Sequence, residues 1–371
     1  MEETFAEQIV PGTFIRVQSE GLIAPKGVSF GNVGIVGTTI AAKIPDPEDS
    51  SQTIDAPNAF GVTNILSSLE DAQKVYGAPD AFSAKTLNLM RALPLLFANG
   101  ARTVYARGLA AGADQTAFGA AVAELMKEDI NILIAPELST DDAKTVLGGA
   151  VETGENNGRD VIAVIGCDAT TIATIKGQIT ANKRFVMAAP GIVTFDSVAK
   201  ANVTLTGNYT AAALAGLISS LAPQSSPTNK VLPAVGKLSA KFSYGELKDM
   251  LQSNVLLLED RQGIRVVRGI TTEGAAFAQI TTRRIVDYAK AGIRQVSGAF
   301  IGKLNNERVR KALQGALDSF LTTMIIDESL TDYTLQVTAT RADEVAGRCV
   351  VNVAMQPTFS IDYIRVTLAL S

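Results

Sequence analysis

Histidine and tryptophan are both missing from this chain of 371 residues. Without an imidazole there is no Ser-His-Asp triad, no Cys-His dyad, no histidine metal ligand and no histidine general base. Cysteine is scarce too: Cys167 and Cys349 lie far apart, each in an apolar run (VIAVIGCDA and GRCVVNV). Two distant cysteines make neither a disulfide framework nor a zinc site, and both are expected to be buried thiols. No uncharged apolar run is long enough to cross a bilayer. The start, MEETFAEQIV, is acidic and lacks a basic segment followed by an apolar one. No secretory signal is visible, and assembly in a reducing cytoplasm is expected. The net charge of −4 disfavours binding nucleic acid through bulk charge.

What is there suits a folded protein. Hydrophobic residues make up 47% of the chain and charged residues 19%, a core-forming composition. The length fits about two to three domains. Residues 1–25 read as an extended arm, with strand character at 13–18 (TFIRVQ). A buried strand follows at 28–40, then an exposed loop at 43–60 with three prolines. Helical patterns are expected at 63–76 and 82–98, and a strand at 101–108. From 115 to 223 helices (115–128, 140–152, 170–182, 209–221) alternate with strands (131–135, 160–166, 184–190). Short β-branched runs separated by helices imply βαβ units and a mostly parallel sheet.

After 240 the composition changes. A helix is expected at 242–251, then two strands, and long helices at about 278–300 and 306–324, with Asn305 or Asn306 as the cap of the last. Three strands (DYTLQVTAT, RCVVNVAM, IDYIRVTLAL) end the chain, the final one tied into a sheet. The fold class is therefore mixed α/β, α+β toward the C-terminus. The expected units are an arm at 1–25, an α/β region at 26–240 whose outer part is about 110–230, a C-terminal region at 241–355 and a strand arm at 356–371.

Charge is uneven: residues 261–311 carry 11 basic and three acidic residues. This reads either as scattered helix-face charge or as a basic face for an acidic partner. Motifs that suggest enzymes are weak. Gly27-Val28-Ser29-Phe30-Gly31 matches a nucleophile elbow but has no histidine to serve it, so its glycines read as tight packing. Ser197 and Lys200 match S-x-x-K without the companion motifs of Ser-Lys hydrolases. Asp46, Glu48 and Asp49 share a loop and read as solvated rather than as a cation site.

The stretch ITTRRIVDYAKAGIRQVSGAFIGKLNNERVRKALQGALDSFLTTMIIDESLTDYTLQV resembles the core of contractile tail sheath proteins of phages, R-type bacteriocins and related injection systems. Arg283-Arg284 opening a long helix, Ile293, Phe300, Asn305-Asn306, Val309, Phe320-Leu321, a hairpin and the last strand IRVTLAL carry the likeness. PGTFIRV, GVSFGNVGIVGTT, VYGAPD and NGARTVYARG extend it through the N-terminal half, and it is weakest at about 110–240.

The resemblance implies a subtilisin-like α/β middle domain without a working triad, a C-terminal sheath core and extended terminal arms. It implies a non-enzymatic subunit, without cofactor or metal, that stacks as usually hexameric rings around an inner tube and contracts to drive the tube through a target envelope. Implied partners are copies of itself, the tube protein, baseplate and tail terminator proteins, with no direct nucleic-acid contact and no membrane insertion. The implied location is a virion tail or contractile particle. The arm strands would use Phe14, Ile15, Arg16 and Val17 at one end and Ile364, Val366, Leu368 and Leu370 at the other. Arg308, Arg310 and Lys311 are the candidate tube-contact face. The alternatives are another tail component, such as a tube protein, and remotely a Ser-Lys hydrolase.

Overall fold

The computed structural model describes residues 28–46, 51–78, 89–196 and 198–369. Strand β1 (Val33–Thr38) is buried along its whole length, because it sits mid-sheet with both faces covered. Next come a small antiparallel hairpin, β2 (Lys43–Pro45) and β3 (Thr53–Asp55), then strand β4 (Thr63–Leu66), helices α1 (Leu69–Tyr76) and α2 (Leu89–Ala98), and strand β5 (Val104–Leu109). The expected helix over 63–76 is thus two elements. Thr63–Leu66 pairs antiparallel with β5 at the sheet edge, and Ser68 caps the helix by accepting from the Asp71 amide.

The alternating stretch gives α3 (Gln115–Leu125), β6 (Ile132–Ile134), α4 (Thr140–Asn156), β7 (Ile162–Gly166), α5 (Ile172–Gln178) and β8 (Phe185–Ala189). A meander not anticipated from the sequence follows, β9 (Ile192–Asp196) and β10 (Ala201–Leu205), ahead of α6 (Gly207–Ser220). Then come β11 (Lys237–Leu238), which pairs with β9, α7 (Tyr244–Gln252), β12 (Leu256–Asp260) and β13 (Ile264–Val266).

The main sheet has the order β13-β12-β8-β7-β6-β1-β5-β4. It is parallel except for the edges β4 and β13. Alternate strand residues feed two cores: Val33, Ile35, Ile132 and Ile134 pack with α1, α2 and α6, while Val36 and Leu133 pack with α3, α4, α5 and α7. Helix α6 is buried on nearly every side. Gly166 and Gly207 let its first turn cross the end of β7, since a Cβ on either would collide with the other segment's backbone. The sheet continues past residue 240, because β12 is a buried apolar strand that pairs with β8.

Beyond the sheet, α8 (Ile280–Gly298) and α9 (Glu307–Ile326) pack together, with Asn306 capping α9 by accepting from the Val309 amide. An antiparallel hairpin, β14 (Leu330–Thr338) and β15 (Val350–Pro357), lies on α9, and short α10 (Arg341–Val345) forms its tip. Ile285, Leu317, Phe320, Leu321, Met324, Leu330 and Met355 make this third core. Two sequence expectations change here. Cys167 is buried as expected, but Cys349 is exposed at the hairpin's solvent end. The third terminal strand does not form: among the described residues no strand edge lies against residues 358–369, and they join no sheet.

Candidate functional site

The enzyme-like motifs resolve into packing. Ser29 donates to the Asn131 side chain at 3.0 Å, and a Cβ at Gly31 would strike the Ser219 carbonyl. Lys200 sits exposed in the β9–β10 turn with a left-handed backbone, φ 51°. Gly27, Ser197, Glu48 and Asp49 lie outside the described residues. No group of three or more acidic or cysteine side chains able to hold a metal occurs among the described residues. One carboxyl does stand out at the sheet's C-terminal edge. Glu137 accepts from the Thr38 amide at 2.7 Å and its hydroxyl at 2.6 Å. Burial outweighs these bonds and pushes its pKa up to about 7.

The basic stretch is mostly not a face. Arg184, just before β8, meets Glu155 at 2.8 Å, Asp160 at 2.6 Å and Asp287 at 3.0 Å. From α8, Lys290 and Arg294 reach the same Asp160 at 2.8 and 2.7 Å, and Arg283 pairs with Asp287 at 2.5 Å. Arg284 donates instead to the carbonyls of Phe30, Leu221 and Ala222. Burial pulls its pKa down to about 10. Burial would raise the Glu155 carboxyl, but the Arg184 bond and charge hold it at about 2. The basic-face reading is thereby corrected for Arg283, Arg284, Lys290 and Arg294. Lys290 and Arg294 pair with Asp160 from the chain's first half, Arg284 with backbone carbonyls and Arg283 with Asp287 of its own helix, which Arg184 also holds, so the cluster fixes α8 to the base of the sheet.

The three residues singled out on α9 divide. Arg310 is held by Glu344 at 2.9 Å and by Asn305. Lys311 pairs with Glu307 at 2.8 Å along the exposed helix surface. Arg308 is exposed and has no ionic partner among the described residues.

Two surfaces at the C-terminal end remain unfilled. Among the described residues the hairpin β14–β15 pairs only with itself, so both outer edges present backbone groups that no strand there pairs. Past it, Ile364, Val366 and Leu368 are 83%, 72% and 86% exposed. Phe14, Ile15, Arg16, Val17 and Leu370 lie outside the described residues. Sequence reading missed the anchor at the root of this segment. Asp362, its side chain 5% exposed, accepts from Arg268 Nε at 2.8 Å and from Gln279 and Thr228 at 3.3 Å each. The signal was present: Asp362 falls on the same alternate positions as Ile364, Val366 and Leu368.

These features coincide with two family matches. A model of the phage tail sheath protein central domain matches residues 103–272, and one of the phage tail sheath C-terminal domain matches residues 272–371. The chain belongs to the phage tail sheath family. The central match includes the stretch where the sequence resemblance is weakest. Sheath structures share the fold. The contracted helical sheath of the anti-feeding prophage has a TM-score of 0.73 at 17% identity, covering 98% of this chain and 100% of that one. The contracted sheath complex of the extracellular contractile injection system PVC gives 0.72 at 17%, covering 99% of each chain. The sheath tail protein of Desulfitobacterium hafniense gives 0.64 at 13%, covering 94% of this chain and 100% of that one. No curated protein matches the chain in sequence.

Proposed function

We propose that this sheath subunit polymerises with copies of itself as stacked rings around an inner tube, and that contraction of the polymer drives the tube through a target envelope. The observation that carries the reading is the pairing of opposites at the C-terminal end. A segment with exposed Ile364, Val366 and Leu368 has no strand partner among the described residues, while β14–β15 offers open edges there. Large exposed apolar side chains in sequence mark a contact surface, and an extended segment added to a sheet edge gains backbone hydrogen bonds. Residues 13–18 would supply the second arm. The tube contact would use Arg308 and Lys311, with Arg310 supporting through Glu344.

The role is non-enzymatic and needs no cofactor. Contraction requires only a difference between two packed states, with new subunit contacts supplying the energy. Baseplate and terminator proteins would cap the polymer, which is assembled in the producing cell's cytoplasm and carried on the finished particle. Electron microscopy of the purified chain tests this. Hollow cylinders are expected from the unaltered chain, and folded monomers from Leu368→Lys or from a chain lacking residues 1–20. Cylinders from either variant would remove that segment from the reading.

A further inference from the structure

The route of the chain between Pro357 and Tyr363 carries more than a connection. After β15, Thr358 donates its amide to the Ser329 carbonyl at 3.0 Å, its last bond to the hairpin region. The chain then crosses to the start of α8. Gln279, the residue capping that helix, accepts from no backbone amide of its first turn; within α8 its Oε1 accepts only from the Thr281 hydroxyl, at 3.4 Å. Its amide grips the backbone of Ser360 at both ends: Ser360 N donates to Oε1 at 3.1 Å, and Nε2 donates to Ser360 O at 3.3 Å. This copies one rung of a β-ladder with a side chain.

Asp362 closes the grip. Its Oδ2 accepts from Arg268 Nε and Gln279 Nε2, and its Oδ1 from the hydroxyls of Thr228 and Ser360. A nearly buried carboxylate is stable only when its oxygens are satisfied this fully. The Arg268 guanidinium also stands 5.5 Å from the Tyr363 ring centre. From Tyr363 to Ala369 every residue is exposed.

We infer that Asp362, held by Arg268, Gln279 and Thr228, is a mooring that fixes where the C-terminal arm leaves the subunit and how long the free tether is. The inference rests on the arm reading proposed above. Three separate parts of the body converge on it: the loop carrying Thr228, the segment after β13 and the residue capping α8. With the mooring closed, the tether starts at Tyr363. With it open, residues 359–362 join the tether and add ~13 Å of reach. Asp362 is a positioning residue: the partners that hold it, Arg268, Gln279, Thr228 and Ser360, belong to its own subunit, and the surface it directs lies beyond it.

Full-length Asp362→Ala and Arg268→Ala test the mooring, with Leu368→Lys prepared in parallel. Hydrogen exchange on the unassembled chains reads the grip. The Ser360 amide is expected to exchange about tenfold faster or more in both mooring variants, matching loss of one charge-assisted bond. Exchange in α8 and α9 and the thermal midpoint should stay unchanged. In electron micrographs the two variants should give few polymers, or polymers with an altered or irregular axial repeat. An unchanged Ser360 exchange rate would overturn the mooring. So would polymers of normal yield and repeat from both mooring variants while Leu368→Lys stays monomeric, which leaves the arm reading intact. Normal polymers from Leu368→Lys would overturn the arm reading itself, and the mooring with it.

Discussion

The base of the main sheet and the segment beyond Asp362 handle costly groups in opposite ways. At the base, Arg184, Arg283, Lys290 and Arg294 are largely withdrawn from water, yet Glu155, Asp160 and Asp287 answer them within the same chain. Beyond Asp362, Ile364, Val366 and Leu368 stay largely exposed to water among the described residues. A buried charge without a partner is intolerable to a monomer, so folding satisfies it first. An exposed apolar side chain costs far less and can wait for a second chain. The body answers its own buried charges, whereas the proposed arm leaves its apolar side chains exposed.

The largest expected effect breaks the complete side. Asp160→Asn leaves Arg184, Lys290 and Arg294 without their shared carboxylate and should destabilise the subunit by about 3–5 kcal/mol in denaturant unfolding. A loss below about 1 kcal/mol would mean the cluster relaxes into water. The pH dependence sharpens the same point, with two signs. Glu155 is held at about 2 and Asp160 is also lowered, so their contribution is present above the ordinary carboxylate range near pH 4 and is lost as pH falls toward 2. Glu137 runs the other way: raised from 4.5 to about 7, it binds a proton more readily folded than unfolded, so stability declines as pH rises through that window. Glu137→Gln should remove the decline and add up to ~3 kcal/mol at pH 8. A flat pH profile for the unaltered chain between 4.5 and 7 would contradict the burial of that carboxyl.

Much of the complete side was legible in the sequence. Runs such as NILIA and DVIAVIG announce strands, because a parallel sheet covered on both faces selects continuous β-branched residues. Asn306 and the spacing of Leu313, Leu317, Phe320 and Met324 announce α9 and its buried stripe. The meander β9–β10 was hidden because its pattern is short, polar and half exposed. Thr63–Leu66 reads as part of the following helix because four edge residues carry too little periodicity to separate from it. The fate of the basic stretch was invisible for a different reason: charge density counts neighbours in sequence, whereas Asp160 lies more than a hundred residues from Lys290 and Arg294. At the C-terminus the alternation of apolar residues reads as a strand, but residues 358–369 join no sheet among the described residues, because alternation reports strand propensity and not the presence of an edge to pair with.

The incomplete side should break without harming the complete one. Leu368→Lys places a charge on a residue that is 86% exposed, so monomer stability should stay within about 0.5 kcal/mol. Polymer formation should nevertheless be lost, which sedimentation would show as a single slow species. A drop in monomer stability beyond that range would mean the segment packs on its own subunit.

The smallest effect on the subunit is expected at α9, where the comparison becomes most exacting. Arg310 belongs to the complete side, because Glu344 and Asn305 hold it. Arg308 and Lys311 belong to the other, since the exposed Glu307 contact to Lys311 contributes little and Arg308 has no ionic partner among the described residues. Arg308→Glu with Lys311→Glu should therefore leave the thermal midpoint within about 2 °C. It should still reduce co-sedimentation with purified tubes, most at low salt where exposed charges reach furthest. Polymers formed without a tube should be untouched, because the arm segments are unaltered. If tube binding persists and ignores salt, the tube contact lies away from this end of α9, and Arg308 is only a solvated helix charge.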